Sequence, residues 1–588
     1  MIRTACPLDC YDACAITCDP SYPTKLVSTP AHPMSNGTLC AILNKHMHEA
    51  PRIEKPRVKG LEVSMGEALD AAATALSRAP LLQWRGSGNL GVMQGITNIL
   101  IDKLGGTLTH GSLCDGAGQA GILEGRGYNR QLPPEQIAKA DTVVVWGRNL
   151  TVTNSHIIPF IKGKKLVVID PVVTAIAKKA DMHLQLQPRS DFLLAVMLAR
   201  FIFMENAEDS EWLSEYAEDY EDFYEFTQGF RLVASLRSIG TDLEDMGELL
   251  SYLIGQKVVF LLGAGPQKYS NGHFVFWAID SLAATLGLFG KEGCGVSYLG
   301  NSTQGFDNPF EVDTERVSIV TTPFEKFNTV LVRGGNPAES MPDSSNVVSA
   351  LRQVKNLIYF GLHENETSAL ADIVIPAKTF LEKNDLRFCY GHHYVEEMNR
   401  VLDGDMGIGE YEFVHAMFDR LELNGLKDEQ SYLSLWKEQC KVANNYLVLP
   451  DYEEIPYAKG FGEDADEEFV FIDDYDDDFN IKKQGGKYWL LSPKSPKSLN
   501  TQFARGEKVL ISMNSGFKNT EKVRVVSPHG EQVYHVKLSP DLRDDCVLIY
   551  AGSIGLNKLT PSMASEEGEG ACYQEVKVTL ERVEQIAV

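Results

Sequence analysis

Five stretches of the chain are unbroken runs of apolar, mostly β-branched residues that stop at Gly, Asp or Pro: residues 142–147, 165–171, 257–263, 329–335 and 356–361. A strand with one wet face alternates polar and apolar positions. A run without alternation is buried on both faces, as in a parallel sheet. Between the runs lie apolar or amphipathic stretches with helical spacing, such as 191–206 and 274–288. Strand–helix alternation predicts α/β layers, with ligands bound at the carboxyl ends of the strands. After residue 486 the pattern changes to short strands at 508–511, 522–527, 532–538, 546–550 and 575–580, separated by turns such as Pro528-His-Gly530. That spacing predicts a compact β-barrel.

Between these regions, residues 451–478 hold thirteen acidic residues against the single Lys459, interleaved with Phe and Tyr. A calcium loop starting at Asp474 is excluded, because its sixth position is Phe479 and its twelfth Gly485 instead of Gly and Glu. The stretch reads as a solvated linker.

Composition narrows the function classes. The 588 residues are 44% apolar and 23% charged, ordinary for a folded multi-domain protein. A net charge of −25 argues against nucleic acid, which needs basic patches, and suits docking to a basic partner face. The most apolar run, 192–204, is interrupted by Arg200 and is too short for a membrane span. With Cys6 so near the start, no leader is expected before it. Eleven cysteines without one fit a reducing compartment, so the expected location is the cytoplasm.

Five of those cysteines crowd the first 40 residues, and four of them stand out as Cys6-Pro-Leu-Asp-Cys10-Tyr-Asp-Ala-Cys14 and Cys40. Short spacings followed by a distant fourth thiol suit a [4Fe–4S] cluster, since thiolates are soft anionic donors. A four-cysteine zinc knuckle and plain buried thiols are the alternatives, although zinc sites usually show two close Cys pairs. Cys18 continues the spacing and could replace Cys40. Four thiols at successive steps of four, however, drift around a helix and away from a common centre.

The order of motifs resembles the molybdopterin guanine dinucleotide oxidoreductases, the group of dimethyl sulfoxide reductase and formate dehydrogenase. Cys6/Cys10/Cys14 with Pro30-Ala-His-Pro33 and Asn36-Gly-Thr-Leu-Cys40 looks like the family's iron–sulfur segment. Trp146-Gly-Arg-Asn149, Val168-Ile-Asp-Pro171 and Ala180-Asp181 through Pro188-Arg-Ser-Asp191 resemble its first nucleotide-binding half. Gly263-Ala-Gly265 and Gly334-Gly-Asn-Pro-Ala-Glu-Ser340 look like the second, and Ala371-Asp-Ile-Val-Ile-Pro-Ala377 with Leu381-Glu-Lys383 like a further landmark. Ser498-Leu-Asn-Thr-Gln-Phe503 and Asn557-Lys-Leu-Thr560 resemble the terminal cofactor-binding domain.

The resemblance implies an iron–sulfur domain at 1–55, a discontinuous α/β domain at 56–136 and 320–450, and a Rossmann-like domain at 137–319. An acidic linker at 451–485 and a cofactor-binding β-barrel at 486–588 follow. It implies bis-molybdopterin guanine dinucleotide with Mo or W, bound by Gly147, Asn149, Asp170, Asp191, Gly263, Gly265, Gly335, Asn336, Asn500 and Asn557. A glycine after a buried strand lets backbone approach a diphosphate, and a carboxylate can accept from ribose or a guanine edge. Taken singly, each such Gly or Asp is also a plain strand-ending turn. The loop Gly111-Ser-Leu-Cys114-Asp-Gly-Ala-Gly-Gln-Ala-Gly121 resembles the one that gives the metal its single protein ligand, here Cys114, with Gly116, Gly118 and Gly121 leaving room around it.

Three departures stand out. Where many members carry a lysine after the fourth cluster cysteine, this chain has Ile42, and Lys45 is the nearest lysine. Asp115 follows Cys114 where formate dehydrogenases place His, and the chain is shorter than most catalytic members. His392 and His393, in a Gly/aromatic loop, are candidate proton relays or structural histidines. The leading expectation is a catalytic subunit acting on a small molecule, formate, sulfur-oxyanion or polysulfide species and small organic compounds among them. With no second cluster motif, a separate iron–sulfur or ferredoxin-like redox partner is implied. The alternatives are a formate dehydrogenase specifically, a cofactor-free electron-transfer subunit like the related large subunit of complex I, and a hydratase without net redox.

Overall fold

A computed structural model describes residues 1–35, 37–218, 220–404, 406–475 and 486–583. Asn36 of the cluster motif and the tested calcium-loop positions Phe479 and Gly485 lie outside them. Two sheets organise the α/β part. The first has five parallel strands in the order Met182–Leu184, Lys165–Ile169, Thr142–Trp146, Val258–Leu262, Gly295–Ser297. Every residue of its two middle strands is buried, as unbroken apolar runs require. Helices Asp191–Met204, Gly272–Thr285 and Gly116–Arg126 contribute to its core.

The second sheet has eight strands, in the order Arg316–Ser318, Thr107–His110, Leu81–Arg85, Thr329–Arg333, Asn356–Gly361, Ile373–Pro376, Arg57–Val58, Leu61–Glu62. All pairs are parallel except the last two. The chain thus leaves this sheet after residue 110, builds the first sheet, and returns at 316. The last region closes a six-stranded barrel, Tyr488–Leu491, Cys546–Leu548, Lys508–Ser512, Glu531–Ser539, Lys522–Val526, Lys577–Arg582. At the amino end, Ile2–Ala5, Ala15–Cys18 and Val27–Ser28 form a small antiparallel sheet around the thiol loop.

The acidic stretch departs from the expected solvated linker over residues 451–475. Tyr457, Phe461, Phe469, Phe471 and Ile472 are buried against the first sheet's core, around Phe289 and Phe223. Phe469–Val470 pairs in parallel with Ala217–Glu218, and Tyr475 stacks on Phe192 at 3.7 Å between centroids. Each buried aromatic contributes about 1.5–3 kcal/mol, enough to hold the strap down while Glu463, Asp464, Asp466 and Glu468 stay in water. No helix among the described residues is long and apolar enough to cross a membrane.

Candidate active site

Seven parallel strands end at one cavity of about 1220 Å³. Gly86, Gly111, Gly147, Asp170, Gly263, Gly334 and Gly361, at or just past those ends, all line it, and the barrel adds Leu491, Leu548 and Asn557. All ten residues assigned to the cofactor from sequence lie on this wall: Gly147, Asn149, Asp170, Asp191, Gly263, Gly265, Gly335, Asn336, Asn500 and Asn557. Cys114, Cys10 and Cys40 share it.

The glycines answer to packing as well as to space. A Cβ on Gly263 would sit 1.9 Å from the Gly147 carbonyl oxygen, because the two middle strands end side by side. Gly147 itself has φ +60°, the left-handed region that favours glycine. A Cβ on Gly335 would strike the Trp84 ring at 2.4 Å, whereas Gly265 has nothing nearer than 3.5 Å.

Asp170 accepts a 2.8 Å hydrogen bond from the Val172 amide, and Asp191 one of 2.7 Å from the Trp146 indole. Burial pushes Asp170 up to about 7, with Asp191 adding to it, and pushes Asp191 up to about 6. Such carboxylates gain when a ligand brings N–H or O–H donors. The asparagines divide by role. Asn336 is saturated by Glu366, Thr501 and Thr367, and Asn557 donates to the carbonyls of Glu339 and Ser340 at 2.8 and 2.9 Å. Asn500 donates to Asp9 at 3.2 Å, and Asn149 accepts from Thr151 at 2.8 Å.

Cys114 lies just before helix Gly116–Arg126, partly buried. Its amide donates to Ser112 Oγ at 3.0 Å, and its carbonyl accepts from Gln267 Nε2 at 2.5 Å and from Lys268 Nζ. The helix is pinned by a fully buried Arg126–Asp280 pair, Nε to Oδ2 2.7 Å. Burial pushes the Cys114 thiol up, while Lys268 and Lys494 pull it down. Gly116, Gly118 and Gly121, expected to leave room for cofactor, instead admit protein. Added Cβ atoms there would meet the Gly568 carbonyl at 2.1 Å, the Tyr298 ring at 2.9 Å and the His273 carbonyl at 2.0 Å.

The four amino-terminal thiols sit within electrostatic reach of one another. Burial and then Cys40 push Cys6 up to about 12, and burial also raises Cys10, Cys14 and Cys40. Thiols buried together deprotonate readily only beside a strong positive charge, which iron provides. No three His, Cys, Asp or Glu side chains among the described residues converge on a single ion. A cubane does not ask for that, since each iron takes its own thiolate. Cys18 points elsewhere, its sulfur 3.7 and 3.8 Å from the Asp19 and Pro23 carbonyls.

The thiol loop is clasped by residues 387–392, which explains the histidines. Arg387 donates to the Cys6 and Leu8 carbonyls at 3.3 and 3.1 Å, and Tyr390 to Asp9 at 2.8 Å. His392 Nε2 donates to the Asp12 carbonyl at 2.8 Å while its Nδ1 accepts from the Tyr394 amide. His393 is stacked on Tyr452 at 4.2 Å, and burial lowers it to about 3. Neither histidine is on the cavity wall; His392 backs the thiol loop, and His393 packs between Tyr394 and Tyr452. Lys45 is largely exposed and not on the wall, where Ile42 and its 4.0 Å partner Glu49 stand.

Sequence reading passed over several polar groups. Arg148 lies 3.9 Å over the Tyr11 ring, 4% exposed, with Nε and Nη1 unpartnered. His156 bridges Asp12 (2.7 Å) and the Thr38 carbonyl (3.0 Å), its ring nitrogens 3.8 Å from Cys14 Sγ. Arg148 stood inside a quoted motif, but its partner Tyr11 is remote in sequence, so no local signal marked it.

A large cavity at the strand ends of two α/β sheets, with Cys10, Cys40 and Cys114 on its wall, is where folds of this kind bind their ligands. The molybdopterin oxidoreductase family model matches residues 52–405, and the chain belongs to that family. The chain is 26% identical over 512 residues to the probable oxidoreductase YyaE of Bacillus subtilis, covering 77% of this chain and 75% of that one. It is 22% identical over 648 aligned positions to F420-dependent formate dehydrogenase 1 subunit alpha of Methanococcus maripaludis, covering 93% and 94%. Among solved structures, acetylene hydratase from Pelobacter acetylenicus superposes with a TM-score of 0.79 over 99% of this chain and 100% of that one, at 14% identity, a likeness of fold. The chain is an enzyme whose family implies a molybdopterin cofactor carrying Mo or W.

Proposed function

We propose that this chain is the catalytic subunit of a molybdenum or tungsten oxidoreductase that holds bis-molybdopterin guanine dinucleotide in the described cavity, with Cys114 as the metal's protein ligand. Cys6, Cys10, Cys14 and Cys40 hold one [4Fe–4S] cluster. A separate iron–sulfur or ferredoxin-like protein in the cytoplasm exchanges its electrons, and the substrate is a small molecule. The observation that carries the reading is the single wall shared by Cys114, Cys10, Cys40 and all ten residues assigned to the cofactor from sequence. The bound groups supply two-electron chemistry at the metal and one-electron transfer at the cluster.

This chain's own residues bind, orient and shield. Asp170 and Asp191 accept from ribose hydroxyls or guanine N–H groups, and the glycines at the strand ends let diphosphate approach backbone amides. Arg148 places two unpaired donors near the thiol loop, and Lys268 and Lys494 bring positive charge toward Cys114. Arg387, Tyr390 and His392 hold the thiol loop in place. Anaerobically purified protein tests the reading through its metal, iron and acid-released guanine nucleotide. Mo or W with about four irons per chain and released guanine nucleotide is the expected result. Colourless protein without these overturns it.

A further inference from the structure

The Cys114 loop is held through its carbonyl oxygens by two consecutive side chains, Gln267 and Lys268. Gln267, 2% exposed, uses both ends of its amide. Its Nε2 donates to the Cys114 carbonyl at 2.5 Å, and its Oε1 accepts from the Gly118 amide at 2.8 Å. It therefore spans the first turn of helix Gly116–Arg126. Lys268 Nζ donates to the Leu113 carbonyl at 2.9 Å and to that of Cys114, so both of its acceptors are peptide oxygens. A cation bonded only to neutral carbonyls keeps much of its field, and that field falls on the adjacent sulfur.

The grip is tied to the nucleotide side of the cavity. Gly263, Gly265 and Lys268 all line the wall, and the Lys268 amide donates to the Gly265 carbonyl at 3.2 Å. One short turn thus carries the glycines expected to meet diphosphate and, at its end, the residues that hold the Cys114 backbone. We propose that Gln267 and Lys268 are positioning residues, which fix the direction from which the Cys114 sulfur meets the metal by locking the backbone of residues 113–118. The proposal rests on Cys114 as metal ligand; the Gln–Lys grip and its coupling to the Gly263–Gly265 turn are what it adds.

The test uses holoenzyme carrying Lys268→Met, Lys268→Arg or Gln267→Met, the last nearly isosteric, so that one variant survives if another fails to fold. Two readouts are taken at matched metal and nucleotide content. One is the paramagnetic resonance spectrum of the half-reduced metal. The other is hydrogen exchange of the peptide covering residues 111–118. Lys268→Met and Gln267→Met are expected to shift the resonance and to raise exchange in that peptide about tenfold, the size of one lost charge-assisted bond for Lys268 and of two lost neutral bonds for Gln267. Lys268→Arg is expected to restore the wild-type spectrum. Variant spectra that superimpose on the wild type overturn the proposal. If Cys114→Ser itself leaves the spectrum unchanged, the ligand assignment fails and exchange alone judges the grip. Faster exchange then supports it, and unchanged exchange overturns it.

Discussion

The residues that the two sheets bring to the cavity look alike in sequence and behave differently in the fold. From the five-stranded sheet and the helix packed on it, Asp170 and Asp191 arrive as buried carboxylates that accept from the Val172 amide and the Trp146 indole. From the eight-stranded sheet and the barrel, Asn336 and Asn557 arrive saturated, tied to Glu366 and Thr367 and to the Glu339–Ser340 backbone. The first pair has bonding capacity for a ligand, whereas the second fastens barrel to sheet. A polar residue at a strand end is therefore a ligand contact or a strut according to partners that lie far away in sequence.

This contrast can be broken by substitution. The largest effect is expected at Gly263, which both readings require: Gly263→Ala places a Cβ 1.9 Å from the Gly147 oxygen. Overpacking of this kind costs about 3 kcal/mol, read as a lower urea midpoint for the α/β transition. Asn557→Ala leaves two carbonyls short of donors and is expected to destabilise by about 2 kcal/mol. Its barrel should loosen by hydrogen exchange while nucleotide content per folded molecule holds. Asp191→Asn, which keeps an oxygen to accept from the Trp146 indole, should do the opposite, lowering guanine nucleotide content with little loss of midpoint. An equal response in both variants would erase the distinction.

The smallest effect is in pH. Asp170 and Asp191 titrate at about 7 and about 6 in the fold, above the ordinary carboxylate value of 3.8. Their contribution to stability is full below the unfolded value and is lost as pH rises through about 6 and about 7. Cofactor-free protein should therefore show a midpoint that declines between pH 4 and pH 7. Asp170→Asn should flatten the decline, and bound nucleotide donors should flatten it as well.

What was legible in the chain follows the same division. Strands such as Val258–Leu262 were plain because burial on both faces leaves no polar position. Leu81–Arg85 and Thr107–His110 were not, since Gln83 and Thr109 sit buried among their apolar residues, and Gln83 is made tolerable by a 2.9 Å bond to Asn98. The acidic strap read as linker because charge outnumbers the aromatics that anchor it, and only packing against Phe223 and Phe289 shows their weight. His392 and His393 suggested chemistry because a polar pair in a glycine loop looks exposed. In the fold, His392 clasps the thiol loop and His393 stacks on Tyr452. The wall itself was legible as a set of strand ends, but the cations Lys268 and Arg148 depend on tertiary contacts with no sequence period.

The central claim is that one cavity holds a heavy metal bound by Cys114 beside a nucleotide-anchored cofactor. Metal-edge X-ray absorption of wild type and Cys114→Ala holoenzyme tests it most directly. The account predicts one sulfur fewer in the metal's shell of the variant, with guanine nucleotide content unchanged. An identical sulfur shell in the two proteins, or no molybdenum or tungsten edge in either, would contradict it.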